Sequence, residues 1–198
     1  DGITSDNTLV ISGTAEANSS VEVFIDGASI GTTTADGSGN WSYDHTGTTL
    51  ADGSYTLTAE ATDTAGNTSL ASAGFALTVD SAAPSAPAVT GVTDDTNGAD
   101  GVTSDNTLII SGTAEANSAV EVFIDGASIG TTTADGSGNW SYDHTGTTLA
   151  DGSYTLTAEA TDTAGNTSLT SAGFALTIDS AAPAAPAVTA VSSDTNGA

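Results

Sequence analysis

The stretch Val21-Glu22-Val23-Phe24-Ile25-Asp26-Gly27 decides the fold class of this 198-residue chain. Apolar and polar side chains alternate along it, which is typical of a β-strand with one buried face. The Asp-Gly pair at its end is a favoured turn, and residues 29–34 then form a short Thr-rich segment. The stretch therefore predicts a strand, a turn and a second strand within an all-β fold.

The same pattern continues on both sides of this stretch. Residues 54–62 alternate between apolar and polar side chains, and residues 74–80 direct Phe75, Leu77 and Val79 to one face. No segment shows helical periodicity with capping residues. Strands are predicted at residues 8–12, 21–26, 29–34, 40–43, 54–62, 74–80 and 88–93. About seven strands at this spacing predict an Ig-like Greek-key β-sandwich.

The chain is a tandem repeat of this unit. The segment Asp1-Gly2-Ile3-Thr4-Ser5-Asp6-Asn7-Thr8 returns 99 residues later as Asp100-Gly101-Val102-Thr103-Ser104-Asp105-Asn106-Thr107. The two copies differ at only nine positions, and most of these exchanges preserve volume or polarity, as packing tolerates. A period of this length is too long for a solenoid turn and fits a small autonomous domain.

The repeat predicts where the modules begin and end. Residues 1–80 form a first Ig-like module without its own first strand, and residues 81–179 form a second module that begins with the strand at 88–93. Residues 180–198 are a linker and the first strand of a following module. We therefore expect neighbouring identical repeats as partners, either within one longer chain or through exchange of this tail strand between copies.

Composition excludes several classes of partner. The chain has 25 acidic residues and no lysine or arginine, so its formal net charge is −25. This charge disfavours binding to nucleic acid and to anionic membrane surfaces, which depends on basic side chains. No apolar run approaches the roughly 20 residues that span a bilayer, so no direct membrane insertion is expected. Cysteine is absent, which excludes disulfides and thiolate metal sites.

Several short segments carry a resemblance to a known family. They are Ser12-Gly13-Thr14-Ala15-Glu16, Gly39-Asn40-Trp41-Ser42, Leu50-Ala51-Asp52-Gly53-Ser54-Tyr55, Ala61-Thr62-Asp63-Thr64-Ala65-Gly66-Asn67, and Val79-Asp80 before Pro84. The chain resembles the bacterial Ig-like repeats in the extender regions of giant biofilm-associated and RTX-type adhesins. This resemblance implies a secreted protein displayed at the bacterial cell surface, a role in cell adhesion or biofilm formation, and calcium between modules.

The acidic residues also predict calcium sites from the residues themselves. Carboxylates that have no cationic partner must stay solvated or share a bound cation, and Ca²⁺ prefers carboxylate, amide and carbonyl oxygens. The poles of adjoining sandwiches would bring such oxygens together, although Asp, Asn and Gly also form ordinary turns. The role of Asp63 and Asn67 rests mainly on the resemblance. The candidate ligands are Asp1, Asp6, Asp52, Asp63, Asn67, Asp80, Asp95, Asp100, Asp105, Asp151, Asp162, Asn166 and Asp179.

Other functions remain open at this point. The tail at 183–198 could build a self-assembling filament or sheath by β-strand addition. Trp41 and Trp140 could stack on sugars, although a tryptophan on a central strand more often belongs to the core. Asp44 and His45 are the only acid–histidine neighbours in their repeat, and adjacent strand residues point to opposite faces. The sequence therefore predicts a structural module and no enzyme.

Overall fold

The computed structural model describes residues 2–93, 95 and 100–189, and every helix or strand within these ranges is a β-strand. We name the strands of residues 2–80 the first sandwich: β1 (Ile3–Thr4), β2 (Val10–Thr14), β3 (Ser20–Ile25), β4 (Ala28–Thr34), β5 (Asn40–Asp44), β6 (Gly53–Thr62) and β7 (Phe75–Val79). The remaining strands form the second sandwich: β8 (Ala88–Val92), β9 (Val102–Thr103), β10 (Ile109–Thr113), β11 (Ala119–Ile124), β12 (Ala127–Thr133), β13 (Asn139–Asp143), β14 (Gly152–Thr161) and β15 (Phe174–Ile178). The predicted all-β, Ig-like fold is confirmed.

The second sandwich has two complete sheets. One sheet has the order β13-β10-β8, and the other has the order β12-β11-β14-β15-β9. The short strand β9 runs parallel to β15, whereas the other pairs are antiparallel. Apolar side chains from both sheets meet in one buried cluster, to which β10 contributes Ile110, β11 contributes Val122 and β14 contributes Leu156. Val89 and Val92 of β8 pack against this cluster.

The hairpin between β3 and β4 forms as the sequence predicts. Asp26 and Gly27 have φ values of 50° and 78°, the left-handed conformations that a tight hairpin turn requires at both positions. The Asp26 carboxylate also accepts a hydrogen bond of 2.7 Å from the Thr56 amide on β6. The turn is thereby tied to the neighbouring strand.

The first sandwich differs from the second at one edge. Its sheets have the orders β1-β7-β6-β3-β4 and β2-β5. Among the described residues, no strand pairs with the edge of β2 that corresponds to the β8-paired edge of β10. The buried apolar cluster of this sandwich is correspondingly smaller and contains Ile11, Val21, Val23 and Ala35.

The uncovered edge leaves one predicted core residue exposed. Phe75 lines the space between the two sheets, on the face of β7 that the sequence predicts, but its side chain is 58% exposed. Its counterpart Phe174 packs against the core of the second sandwich, which β8 helps to cover. The two-residue strands β1 and β9 were not predicted, because so short a segment shows no periodicity.

Tyr55 donates a 2.7 Å hydrogen bond from its hydroxyl to the Ala51 carbonyl, and Tyr154 does the same to Ala150 at 2.9 Å, as in the tyrosine corner of Ig-like sandwiches. The described part of the chain has no helix long and apolar enough to cross a membrane.

Candidate functional site: the joint and the acidic poles

A direct hydrogen bond joins the two sandwiches. The side-chain amide of Asn166 donates to the backbone carbonyl of Asp80 at 2.7 Å. Asp80 directly follows β7, and its own amide donates to the Thr4 carbonyl at 3.0 Å. The contact therefore connects the end of the first sandwich to the loop between β14 and β15 of the second.

The loop that makes this contact is organised by one carboxylate. Asp162 accepts hydrogen bonds from the Asn166 amide at 2.9 Å, from the Ala164 amide at 2.8 Å, and from the Asn166 side chain at 2.8 Å. Burial acts to raise the pKa of Asp162, but these hydrogen bonds outweigh it and hold the pKa below its ordinary value. The charged carboxylate thus fixes the Asn166 side chain in the orientation that reaches Asp80.

The equivalent loop in the first sandwich has the same internal geometry. Asp63 accepts hydrogen bonds from the Asn67 amide at 2.8 Å and from the Asn67 side chain at 2.7 Å. The hydrogen bonds from Asn67 lower the pKa of Asp63. The loop therefore presents Asn67 in the conformation that Asn166 uses at the joint.

A second carboxylate holds the start of the linker. Asp52 accepts hydrogen bonds from the Ser81 hydroxyl at 2.7 Å and from the Ser81 amide at 2.9 Å. These bonds lower the pKa of Asp52. Pro84 and Pro87 further along the linker are buried. The exit of the chain from the first sandwich is therefore fixed by packing as well as by hydrogen bonds.

The same anchor recurs at the end of the second sandwich. Asp151 accepts hydrogen bonds from the Ser180 hydroxyl at 2.7 Å and from the Ser180 amide at 3.0 Å. The backbone amide of Asp179 donates to the Thr103 carbonyl at 3.0 Å. Sequence reasoning identified the aspartates but missed Ser81 and Ser180, since each lies 29 residues from its partner and no local pattern links them.

The acidic stretch from Asp80 to Asp105 does not form one cluster. Asp80 lies at the joint beside Asn166. Asp95 instead forms an isolated β-bridge with Thr103. The backbone carbonyl of Thr103 accepts a hydrogen bond from the backbone amide of Asp179. Strand β8 separates these two parts of the stretch, so its carboxylates are divided between the two ends of the second sandwich. Asp1 lies outside the described residues.

One carboxylate oxygen in this second group has no partner among the described residues. Asp95 Oδ2 accepts a 2.9 Å hydrogen bond from the Gly101 amide, but its Oδ1 is buried and has no hydrogen-bond partner in residues 2–93 and 100–189. Nearby, Asp105 accepts from the Thr93 hydroxyl at 3.4 Å, and Asp100 accepts from the Val102 amide at 3.0 Å. A buried, unpaired carboxylate oxygen is costly, and it fits the hard-oxygen chemistry of a calcium ligand.

The remaining carboxylates serve local turns. Asp6 accepts hydrogen bonds from the Thr8 amide and hydroxyl, both at 2.8 Å, and these lower its pKa. Within residues 2–93, 95 and 100–189, no three acidic or histidine side chains lie close enough together to hold a metal ion. Any calcium site in this part of the chain would therefore need backbone carbonyls, amide oxygens or water as further ligands. The ligand assignments stay predictions.

The tryptophans belong to the interior. Trp140 is only 4% exposed and sits in the core cluster of the second sandwich. Trp41 is half-buried and packs against the core of the first. A sugar-stacking platform needs an exposed ring face, so the carbohydrate-binding interpretation is wrong for Trp140.

The sequence profile of the bacterial Ig-like domain matches residues 1–81 and 84–180. The chain belongs to this family. No curated protein sequence matches it. Ig-like and fibronectin III-like modules are typically structural rather than catalytic.

Solved structures with the same fold include bacterial modules. The fibronectin(III)-like modules of CbhA from Clostridium thermocellum are 17% identical with a TM-score of 0.50, over 89% of this chain and 87% of theirs. A Ca²⁺-stabilized adhesin with which an Antarctic bacterium reaches out and binds ice is 32% identical with a TM-score of 0.45, over 91% of this chain and 46% of that one. The BSP domain of a biofilm-associated protein is 25% identical with a TM-score of 0.35, over 91% and 29%. The chain spans less than half the length of each of those two chains.

Proposed function

We propose that the two sandwiches are extender modules of a secreted bacterial surface adhesin, which hold a binding domain away from the cell. The observation that carries this proposal is the hydrogen bond from Asn166 to the Asp80 carbonyl, because it ties one family member end to end with the next. The proline-containing linker and the Asp52–Ser81 anchor restrict the same joint. Such a pair of modules is suited to holding another domain at a distance rather than to catalysis.

The high negative charge agrees with an extracellular stalk. A net charge of −25 with no basic side chain repels other acidic surfaces and keeps the chain soluble. It also opposes binding to DNA or RNA, whose phosphates carry charge of the same sign. The proposed location is therefore outside the cell or at its surface, and the proposed partners are the adjoining repeats.

We further propose calcium as the ion that stiffens the array. At the joint, Asp80, Asp162, Asn166 and Asp6 would hold it, with Asp1 and Asp52 as further candidates. Asp63 and Asn67, which follow the other end of β6, would hold an ion at the opposite end of the first sandwich. At the far end of the second sandwich, Asp95 with its unpaired oxygen would hold it together with Asp100, Asp105, Asp151 and Asp179. When bound, the cation neutralises carboxylates that repel one another. The chain's own hydrogen bonds orient the loops that present them.

Small-angle scattering of the two-module chain tests this proposal. We expect a larger and narrower maximum dimension in calcium than in chelator, because a cation at the joint adds to the Asn166 contact. Asp80→Ala should remove the calcium effect while keeping the direct contact, which uses the backbone carbonyl. Asn166→Ala should loosen the joint in chelator as well. Asp36→Ala, in a loop remote from the linker, is the matched control.

The result that contradicts calcium stiffening is an unchanged dimension and spread in both conditions. If the chain is nevertheless extended and Asn166→Ala loosens it, then the stalk function stands and the joint works without a metal. If the wild-type chain is equally flexible in both conditions, the extender proposal itself fails.

A further inference from the structure

The chain contains eight Asp-Gly pairs, and all of their aspartates except Asp1 lie in the described residues. Asp-Gly is prone to rearrangement, because glycine has no side chain to keep its nitrogen away from the aspartate carboxyl. In each of the seven described pairs, a carboxylate oxygen accepts a hydrogen bond from a backbone amide. The fold therefore holds in place the group that must move for the rearrangement.

Five of these seven carboxylates are held by amides of their own sandwich. Asp26 accepts from the Thr56 amide of β6 at 2.7 Å. Asp36 and Asp100 each accept from the amide two residues further along the chain, at 2.8 and 3.0 Å. The repeats of Asp26 and Asp36 in the second sandwich have the same bonds. These carboxylates stay bound for as long as the sandwich is folded.

The other two carboxylates depend on a linker. Asp52 accepts from the Ser81 hydroxyl at 2.7 Å and from the Ser81 amide at 2.9 Å, and Ser81 follows the last strand of the sandwich. Asp151 accepts from Ser180 in the same way. In the part of the chain that the structure describes, Ser81 is the one residue that donates to the Asp52 carboxylate. Protection of Asp52 therefore ends when the linker lifts away.

The backbone on both sides of Asp52 is fixed. Ala51 is held by the 2.7 Å hydrogen bond from the Tyr55 hydroxyl, and Gly53 begins β6, where it lies opposite Val79. A Cβ built at Gly53 meets no atom within 4 Å, so no neighbour covers this peptide. The contact with Ser81 is thus the part of the protection that can open while the sandwich stays folded.

We infer that the Asp52–Gly53 peptide is an isomerisation site that the linker protects. When Ser81 moves away, the Gly53 nitrogen attacks Cγ of Asp52. A C–N bond forms, and a carboxyl oxygen leaves as water with the carboxyl proton and the amide hydrogen, which gives a five-membered imide. Water then adds to the main-chain carbonyl carbon of residue 52 and breaks its bond to nitrogen, which gives isoaspartate. The second step regains the water lost in the first, so no other reactant is needed.

The product cannot restore the original contact. Isoaspartate lengthens the main chain by one carbon atom directly before β6 and leaves the free carboxylate on Cα of residue 52. The carboxylate is thereby displaced from the position in which it holds Ser81, and detachment of the linker becomes permanent. This inference rests on the Asp52–Ser81 contact alone and needs neither the adhesin role nor calcium, so scattering at the joint tests a different statement.

Site-resolved mass spectrometry of the full chain, incubated at neutral pH in chelator, tests the inference. Cleavage after glutamate that leaves Glu22 uncut gives the peptide of residues 17–60, and its repeat at 116–159 differs in mass because Ala119 replaces Ser20. Electron-transfer fragmentation then separates isoaspartate from aspartate at each position. We expect Asp52 of the wild-type chain to isomerise about 10-fold or more slowly than in the free peptide Leu50–Tyr55, since the contact must first open.

Variants of the linker serines assign the protection. Ser81→Ala removes the hydroxyl bond and should raise the rate at Asp52 roughly five-fold, the factor that one ordinary hydrogen bond is worth. It should leave the rates at Asp36 and Asp151 unchanged, whereas Ser180→Ala should raise the rate at Asp151 alone. Ser85→Ala is the matched control, because this serine lies in the same linker and is already alanine at residue 184 of the other repeat.

Three results would each overturn the inference. The first is a rate at Asp52 that Ser81→Ala does not change. The second is an equal rise at Asp36 in the same variant, which would show general destabilisation of the sandwich. The third is a wild-type chain in which Asp52 isomerises as fast as in the free peptide.

Discussion

At the residue scale, two equivalent glycines have different surroundings, because β8 lies beside only one of them. A Cβ at Gly112 would lie 2.0 Å from the Ala88 carbonyl of β8 and 2.3 Å from the Trp140 ring. The three atoms nearest to a Cβ at Gly13 all belong to the Trp41 ring, and the first lies at 2.6 Å. Glycine at this position therefore permits both close packing of the tryptophan and close approach of the first strand.

Replacing these glycines should have unequal effects. We expect Gly112→Ala to destabilise the second sandwich by about 2–3 kcal/mol, because both a backbone carbonyl and a ring must move. Gly13→Ala should cost less, about 1–2 kcal/mol, because only the ring must move. Denaturant unfolding of each variant measures the two losses, and equal losses would contradict the tight approach of β8.

Acid should destabilise the protein through its hydrogen-bonded aspartates. The pKa values of Asp52, Asp63 and Asp162 are lowered in the fold. A lowered pKa contributes stability that is complete above the unfolded value of about 3.9 and is lost as pH falls through the folded value. At about 0.15 M salt, where repulsion between surface charges is screened, the melting temperature should fall below about pH 4. Asp162→Asn should show a shallower fall, and a melting temperature that rises on acidification would contradict this assignment.

At the element scale, the strands were predictable because each buries one face and so repeats with a period of two. The hairpin turn at Asp26 and Gly27 was predictable because few residue pairs tolerate its dihedral angles. The exposure of Phe75 was not, since it depends on whether a further strand pairs with β2, and none among the described residues does. The contact of Asn166 with the Asp80 carbonyl could not be predicted either, because every residue has a backbone carbonyl and the sequence does not show which one accepts.

The open edge predicts uneven local stability. Strand β10 is paired on both sides, whereas β2 is paired only with β5 in the described residues. Amides of β2 should therefore exchange hydrogen much faster than those of β10. Hydrogen-exchange mass spectrometry resolves the two strands through peptides that differ at Val10 and Ile109. Equal protection in a strict monomer would show that the edge is already covered.

At the scale of the whole molecule, charge opposes compactness. No lysine or arginine offsets the 25 acidic residues, so the folded state is destabilised by self-repulsion that salt screens. The structure reduces this repulsion by placing carboxylates at loops and at both ends of each sandwich, where backbone amides and hydroxyls bind them.

Calcium should therefore stabilise the folded chain by more than the screening of charges by its ionic strength alone. We expect the melting temperature to rise across about 10⁻⁴–10⁻³ M calcium, the range typical of extracellular sites. Sodium chloride of equal ionic strength is the control, since it screens charges without occupying a site. Asp95→Asn should reduce the calcium effect, because it removes the charge of the carboxylate with the unpaired oxygen. Identical curves in calcium and in matched sodium chloride would leave screening as the whole explanation.

The parallel pairing of β9 with β15 has a mechanical consequence. Tension along an array enters the second sandwich through the linker before β8 and leaves through the residues after β15. Once β8 is pulled away from β10, the load passes to the segment before β9. Val102 and Thr103 lie beside Thr177 and Ile178, so a pull at opposite ends slides these strands lengthwise past each other. Their hydrogen bonds are then loaded together in shear, rather than broken one at a time as in unzipping. A stalk built from such units would resist drag at its tip with a contact only two residues long.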